Sequence, residues 1–180
     1  MFSNWTRQNM YKIDFLKEMM HLIVKECLGK YDGGESYFTE VDAMIKSNPV
    51  LMSEYIQYVT EKENIYNVIL SGEIGLKYLA MQLKRQIPSD INLFLLPGGI
   101  RLDPSKLNRI DNNYKKMWKI TSSRYVFLDD SYYSGKTLNA VSDFVKKSGG
   151  IIKKSYVFYD GAPKRTDVHS LYRYYDNFEN

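Results

Sequence analysis

Val126-Phe127-Leu128-Asp129-Asp130-Ser131-Tyr132-Tyr133-Ser134-Gly135-Lys136-Thr137-Leu138 is the most informative stretch of the chain. Tyr125–Leu128 is short and wholly apolar, the pattern of a strand buried on both faces. It ends in two adjacent carboxylates, Asp129 and Asp130. Five residues after Asp129 comes Ser134-Gly135-Lys136-Thr137, which opens a helix predicted over Thr137–Lys147. Glycine at 135 permits close backbone approach and an unusual φ. The loop and first helical turn offer N–H groups with no partner inside the helix, and the helix dipole favours an anion there. The hydroxyls of Ser134 and Thr137 add donors.

Those features describe a phosphate cradle. The two carboxylates cannot usefully face a phosphate, because like charges repel. They can accept hydrogen bonds from vicinal hydroxyls or help organise Mg²⁺. A phosphate at one end and a diol at the other describe a ribose 5-phosphate. A Walker-type phosphate loop is the competing reading of Ser-Gly-Lys-Thr. That motif needs glycine five positions before Gly135, where Asp130 stands.

Working outward, Asn67–Leu70 is a short apolar run ending in Ser71-Gly72, and a helix is predicted from Gly75 to Gln86. Ile91–Leu96 is a second buried strand, closed by Pro97-Gly98-Gly99. Residues 97–118 are polar and aperiodic. After the helix to Lys147 and Gly149-Gly150, a fourth strand is predicted near Lys154–Tyr159. Apolar strands alternating with helices predict an open, doubly wound parallel α/β sheet, whose ligands bind at the carboxyl ends of the strands.

Upstream of residue 66 the chain reads as helical. Tyr11, Phe15, Met19 and Leu22, with Leu16, Met20, Ile23 and Cys27, recur at helical spacing over residues 8–28. Gly29 is a plausible stop and Lys30–Phe38 a loop. Thr39 reads as the N-cap of a short helix, with Asp42 three residues on. Pro49 suits the first turn of a helix over 49–63. The expected organisation is a helical N-terminal addition over residues 1–65 and an α/β core over 66–180, packed as one domain. The C-terminal Tyr172, Tyr174, Tyr175 and Phe178 are expected to pack against the sheet.

The 180 residues, 44% hydrophobic and 26% charged, suit a globular domain with a full core. No apolar run approaches the roughly 18 residues that cross a bilayer, and no signal peptide is read at the N-terminus. The single cysteine, Cys27, forms no internal disulfide and reads as a core residue, so a cytoplasmic location is expected. His21 and His169 are too isolated to predict a metal pair. Residues 1–100 hold 10 Lys and Arg against 12 Asp and Glu, and residues 101–180 hold 15 against 9, a net +6. That basic half suits an anionic ligand, nucleic acid or solubility alike.

Val126–Leu138 resembles the signature by which type I phosphoribosyltransferases bind phosphoribosyl pyrophosphate (PRPP). The shared pattern is an apolar run, two acids, two further residues and a hydroxyl- and glycine-rich loop. The resemblance implies that Asp129 and Asp130 take the ribose hydroxyls in catalysis, directly or through water to Mg²⁺. It implies that Tyr133, Ser134, Gly135, Lys136 and Thr137 take the 5-phosphate. More weakly, Ser71-Gly72-Glu73-Ile74-Gly75 resembles the family's pyrophosphate loop, with Arg101 as a further contact. Residues 97–118 stand where the family has a mobile loop that closes over the site, and residues 1–65 stand for its acceptor-selecting hood.

The implied activity is Mg²⁺-dependent transfer of ribose 5-phosphate from PRPP to a nitrogenous base or similar acceptor, with release of pyrophosphate and with a homodimer as the implied assembly. Position 133 is often Thr, or an acid in hypoxanthine-type members, and here is Tyr133. No lysine stands on Ser155–Tyr159 to read a purine carbonyl, and the Arg-Lys pair of orotate-type members is absent after Leu96. The acceptor is therefore not legible. A second reading stays open: a non-catalytic protein that binds PRPP or a nucleotide at the same site and regulates a partner, with nucleic acid as one candidate through the basic half.

Overall fold

Asn48 and Pro49 show how closely local chemistry sets the element boundaries. The Asn48 side chain accepts a hydrogen bond from the Leu51 N–H at 3.0 Å, and Pro49 sits in the first turn, where its missing N–H costs nothing. Asn48→Ala should cost about 1 kcal/mol of stability, readable as a shift in the urea midpoint at unchanged slope. The same helix ends at Asn64 in the left-handed conformation (φ 52°), whose N–H returns to the Thr60 carbonyl.

The computed structural model describes residues 2–30, 35–72, 82–97 and 120–177. Three helices come first: α1 (Phe2–Lys30), α2 (Glu35–Lys46) and α3 (Pro49–Glu63). Strands β1 (Asn67–Gly72), β2 (Asn92–Pro97) and β3 (Arg124–Tyr132) follow, then α4 (Lys136–Lys147), β4 (Ile151–Asp160) and β5 (His169–Arg173). A 3₁₀ turn (Tyr174–Asn177) closes the described chain. Residues 82–86 are also helical; the rest of the helix predicted from Gly75 lies outside the described residues. No described helix is long and apolar enough to cross a membrane.

All five strands are parallel, in the order β2-β1-β3-β4-β5, flanked by helices as the alternating pattern predicts. The side chains of β1 and β3 alternate between two cores. Val68, Leu70, Val126 and Leu128 face a cluster that includes Leu16 and Met20 of α1, Ile45 of α2 and Tyr55 and Ile56 of α3. Ile69, Tyr125 and Phe127 face the other side, against Val141 and Val145 of α4. The N-terminal helices thus cover one face of the sheet and α4 the other, which is why Val68–Leu70 and Tyr125–Leu128 are apolar at every position. Tyr55 anchors the first layer: fully buried, its hydroxyl donates to the Val157 carbonyl at 3.3 Å and its ring meets Phe158 edge-on.

Several local expectations change. The second helix starts at Glu35, so Thr39 lies inside it and does not cap it, and the loop read over Lys30–Phe38 shrinks from both ends. The fourth strand runs from Ile151 to Asp160, longer than Lys154–Tyr159. Tyr172 belongs to a fifth strand and not to an aromatic tail, with Tyr174 and Tyr175 in the turn beyond it; Phe178 lies outside the described residues. The eight residues between β4 and β5 suffice for a parallel return because β5 pairs only from the Tyr156 level upward.

Candidate active site

The order of the strands decides where a ligand can lie. From β1 the chain steps outward to β2, then crosses back to place β3 on the other side of β1. Between β1 and β3 the connections leave in opposite directions, opening a crevice beyond their carboxyl ends. Ser71 stands at the end of β1, and β3 extends past its apolar run to carry Asp129, Asp130, Ser131 and Tyr132 into the same place. A cleft of about 230 Å³ opens there, lined by Ser71, Asp129, Asp130 and the continuous run from Ser131 to Leu138. Asp42 and Lys46 of α2 form its opposite wall.

Asp129 is buried, and its oxygen Oδ1 accepts the Asp130 N–H at 2.9 Å. Burial, then the neighbouring Asp130 carboxylate, push its pKa well above the ordinary carboxylate value; Asp42 adds to the effect and the Asp130 N–H opposes it. Asp130 turns one oxygen to the Ser131 N–H at 2.9 Å and the other to the Lys46 ammonium at 2.8 Å. The two acids are therefore unlike. One is a buried carboxyl that resists ionisation, and the other is held as half of an ion pair.

Gly135 forms the bend between β3 and α4. It lies at φ 71°, and a Cβ built there would stand 2.6 Å from the Tyr132 hydroxyl. Both the backbone angle and the space therefore require glycine. It caps α4 without any side-chain hydrogen bond, so the first N–H groups of the helix open into the cleft beside the exposed Ser134, Lys136 and Thr137. The helix starts at Lys136, one residue before the sequence pattern predicts.

Tyr133 lines the same cleft but turns its ring toward the N-terminal helices. The ring lies 5.0 Å from Phe38 and 6.0 Å from Tyr159. Gly161, whose N–H donates to the Tyr132 carbonyl at 2.9 Å, leaves room for it; a Cβ there would lie 2.5 Å from the ring. Arg173 steadies this corner from β5, its Nε 3.4 Å from the buried Asp160 carboxylate and its Nη2 donating to the Ala162 carbonyl.

Of the residues singled out from sequence, Asp129, Asp130, Tyr133, Ser134, Gly135, Lys136, Thr137 and Ser71 meet at this one cleft, and Gly72 ends β1 beside it. Glu73, Ile74, Gly75 and Arg101 lie outside the described residues, as do residues 98–118. Two residues of the cleft escape sequence reasoning. By pattern Asp42 is only a cap partner, and Lys46 is one of many surface lysines. Only the packing of α2 over the end of β3 reveals them.

Among the described residues no three His, Cys, Asp or Glu side chains converge as a metal cage. Asp129 and Asp130 are two neighbouring carboxylates, one of them already paired with Lys46. That donor set would supply at most two carboxylates to a Mg²⁺, the remaining oxygens coming from water or a ligand.

The fold and the cleft together define an open parallel α/β protein with a polar cleft at its topological switch point. No family model matches the chain, and no curated protein matches it. Among solved structures it is similar to a hypoxanthine-guanine phosphoribosyltransferase from Bacillus anthracis, with TM-score 0.43 and 15% identity over 73% of this chain and 77% of that one. A second structure of that enzyme, with HEPES in the active site, gives TM-score 0.41 and 15% identity over 73% and 79%.

Proposed function

We propose that the cleft binds PRPP and transfers its ribose 5-phosphate to a nitrogenous acceptor. The observation that carries this reading is the meeting, in one cleft, of an uncapped helix start with two strand-end carboxylates of unlike character. The amides of the Gly135 turn and the Ser134 and Thr137 hydroxyls would hold the 5-phosphate. Asp129 and Asp130 would accept hydrogen bonds from the ribose hydroxyls, and Ser71 would meet the diphosphate. In the reaction the bond from the anomeric carbon to diphosphate breaks with its electron pair on the leaving group. The acceptor nitrogen then forms the new bond and releases its proton to solvent. Mg²⁺, when bound, would neutralise charge on the diphosphate. The protein's own part is to hold the sugar in line and to place the Asp130 carboxylate near the positive charge that develops on it.

A second reading has its own observation. Tyr133, at the position where some members of the resembled family carry an acid, has no carboxylate and packs its ring against Phe38 and Gly161. That favours a protein that binds PRPP without transferring it. Calorimetric titration with PRPP and Mg²⁺, followed by a screen of bases for pyrophosphate release, separates the cases. Saturable binding with release on one base supports the transferase. Binding with no release on any base supports the regulator, and the absence of binding by folded protein removes both.

A further inference from the structure

Between the two acids and the loop, the resembled signature has two generally apolar residues. Here the second of them is Tyr132, a ring with a hydrogen-bond donor at its tip. Tyr132 closes β3, and its backbone is fixed there: it pairs with Asp160 of β4, and its carbonyl accepts the Gly161 N–H. The half-buried side chain lines the cleft and leans over the Gly135 turn. The Cβ that Gly135 lacks would stand 2.6 Å from the Tyr132 hydroxyl oxygen. The hydroxyl thus takes up the space of the missing side chain, beside the backbone where the first N–H groups of α4 open into the cleft.

Tyrosine hydroxyls elsewhere in the core are satisfied within the protein. Tyr55 bonds the Val157 carbonyl, Tyr125 the Thr121 backbone and Tyr156 the Glu63 carboxylate. The Tyr132 hydroxyl makes no hydrogen bond among the described residues. Packing over Gly135 would be served equally by phenylalanine, so packing does not account for the oxygen. We infer that the Tyr132 hydroxyl donates a hydrogen bond to a phosphate held at the Gly135 turn. The inference rests on the reading of that turn as a phosphate site, and it adds a donor that the resembled signature does not contain. The ligand class it selects is a phosphate monoester, whose free oxygens are all acceptors, enough for the amides of α4 and the phenol together. A neutral phenol adds no charge, so its contribution differs in kind from that of Lys136 beside it.

Calorimetric titration of the full chain with ribose 5-phosphate, Tyr132→Phe against wild type, tests this. The variant keeps the ring over Gly135 and loses only the oxygen, so its thermal midpoint should match that of the wild type. Its affinity should fall about tenfold. The same factor should hold when added salt weakens binding by both proteins, because the lost group is uncharged. Binding by the wild type should also perturb a tyrosine ultraviolet band, a signal that Tyr132→Phe should lose. Equally tight binding by wild type and variant overturns the inference and leaves the phosphate turn standing. A variant that loses thermal midpoint along with affinity overturns it too, since the hydroxyl is then structural. A folded wild type that does not bind ribose 5-phosphate overturns the reading of the turn, and the inference falls with it.

Discussion

Gly135→Ala should lower affinity for PRPP or ribose 5-phosphate about a hundredfold and cost roughly 1–3 kcal/mol of stability. Two independent constraints meet at this residue. An alanine at φ 71° suffers the left-handed penalty, and its Cβ would lie 2.6 Å from the Tyr132 hydroxyl and within 3.3 Å of two ring carbons. Tyr132 must swing aside, and the left-handed strain shifts the backbone of the turn. That displaces the start of α4 by a fraction of an ångström from the position its N–H groups need. Gly149→Ala is the control. It too has positive φ (81°), but its Cβ would meet only Ser122 at ordinary distance, away from the cleft. Urea unfolding should show a loss of stability in both variants, the larger in Gly135→Ala, and calorimetry should confine the loss of binding to Gly135→Ala. Unaltered binding by that variant would show that the turn is not the phosphate cradle.

Asp129→Asn should move binding and stability in opposite directions. Binding should fall about ten- to a hundredfold, because the amide places an NH₂ donor where the carboxyl offers an acceptor oxygen to the ribose hydroxyls. Stability at neutral pH should rise by about 1 kcal/mol, a few degrees in thermal midpoint for a chain of this length. The reason is that Asp129 is buried beside Asp130, with Asp42 near, so its ionisation is opposed in the fold. The pH dependence fixes the sign. Below the ordinary carboxylate range, at about pH 4, Asp129 is protonated whether folded or unfolded, and the variant gains nothing. As pH rises through the raised folded value, the unfolded chain ionises freely and the wild type loses that stability. The gap between variant and wild type should therefore open with rising pH. A variant less stable than wild type at pH 8 would mean that the buried carboxylate is held by favourable contacts instead.

The sheet was legible because its causes are local. Runs such as Val68–Leu70 and Tyr125–Leu128 are apolar at every position, and only strands covered on both faces need that. Gly-Lys-Thr after two acids marks a strand–turn–helix by backbone chemistry alone. The ends of elements were less legible. Thr39 has the chemistry of a cap, yet Glu35–Phe38 continue the helix upstream, because the packing of Phe38 against Tyr133 and Tyr159 outweighs a single side-chain hydrogen bond. Strand β5 was missed because five residues of mixed character carry no period; its place comes from pairing with β4.

By itself, then, the sequence determined the parallel sheet, the glycine turn and the pair of acids, since each follows from what a few neighbouring residues can do. Tertiary structure decided the rest. It placed Ser71 beside Asp129, set Lys46 of α2 on Asp130, and made one acid reluctant to ionise while its neighbour is ion-paired. It also chose which apolar row of α1 to bury. Those outcomes depend on distance and desolvation between segments far apart in the chain, which local pattern cannot report.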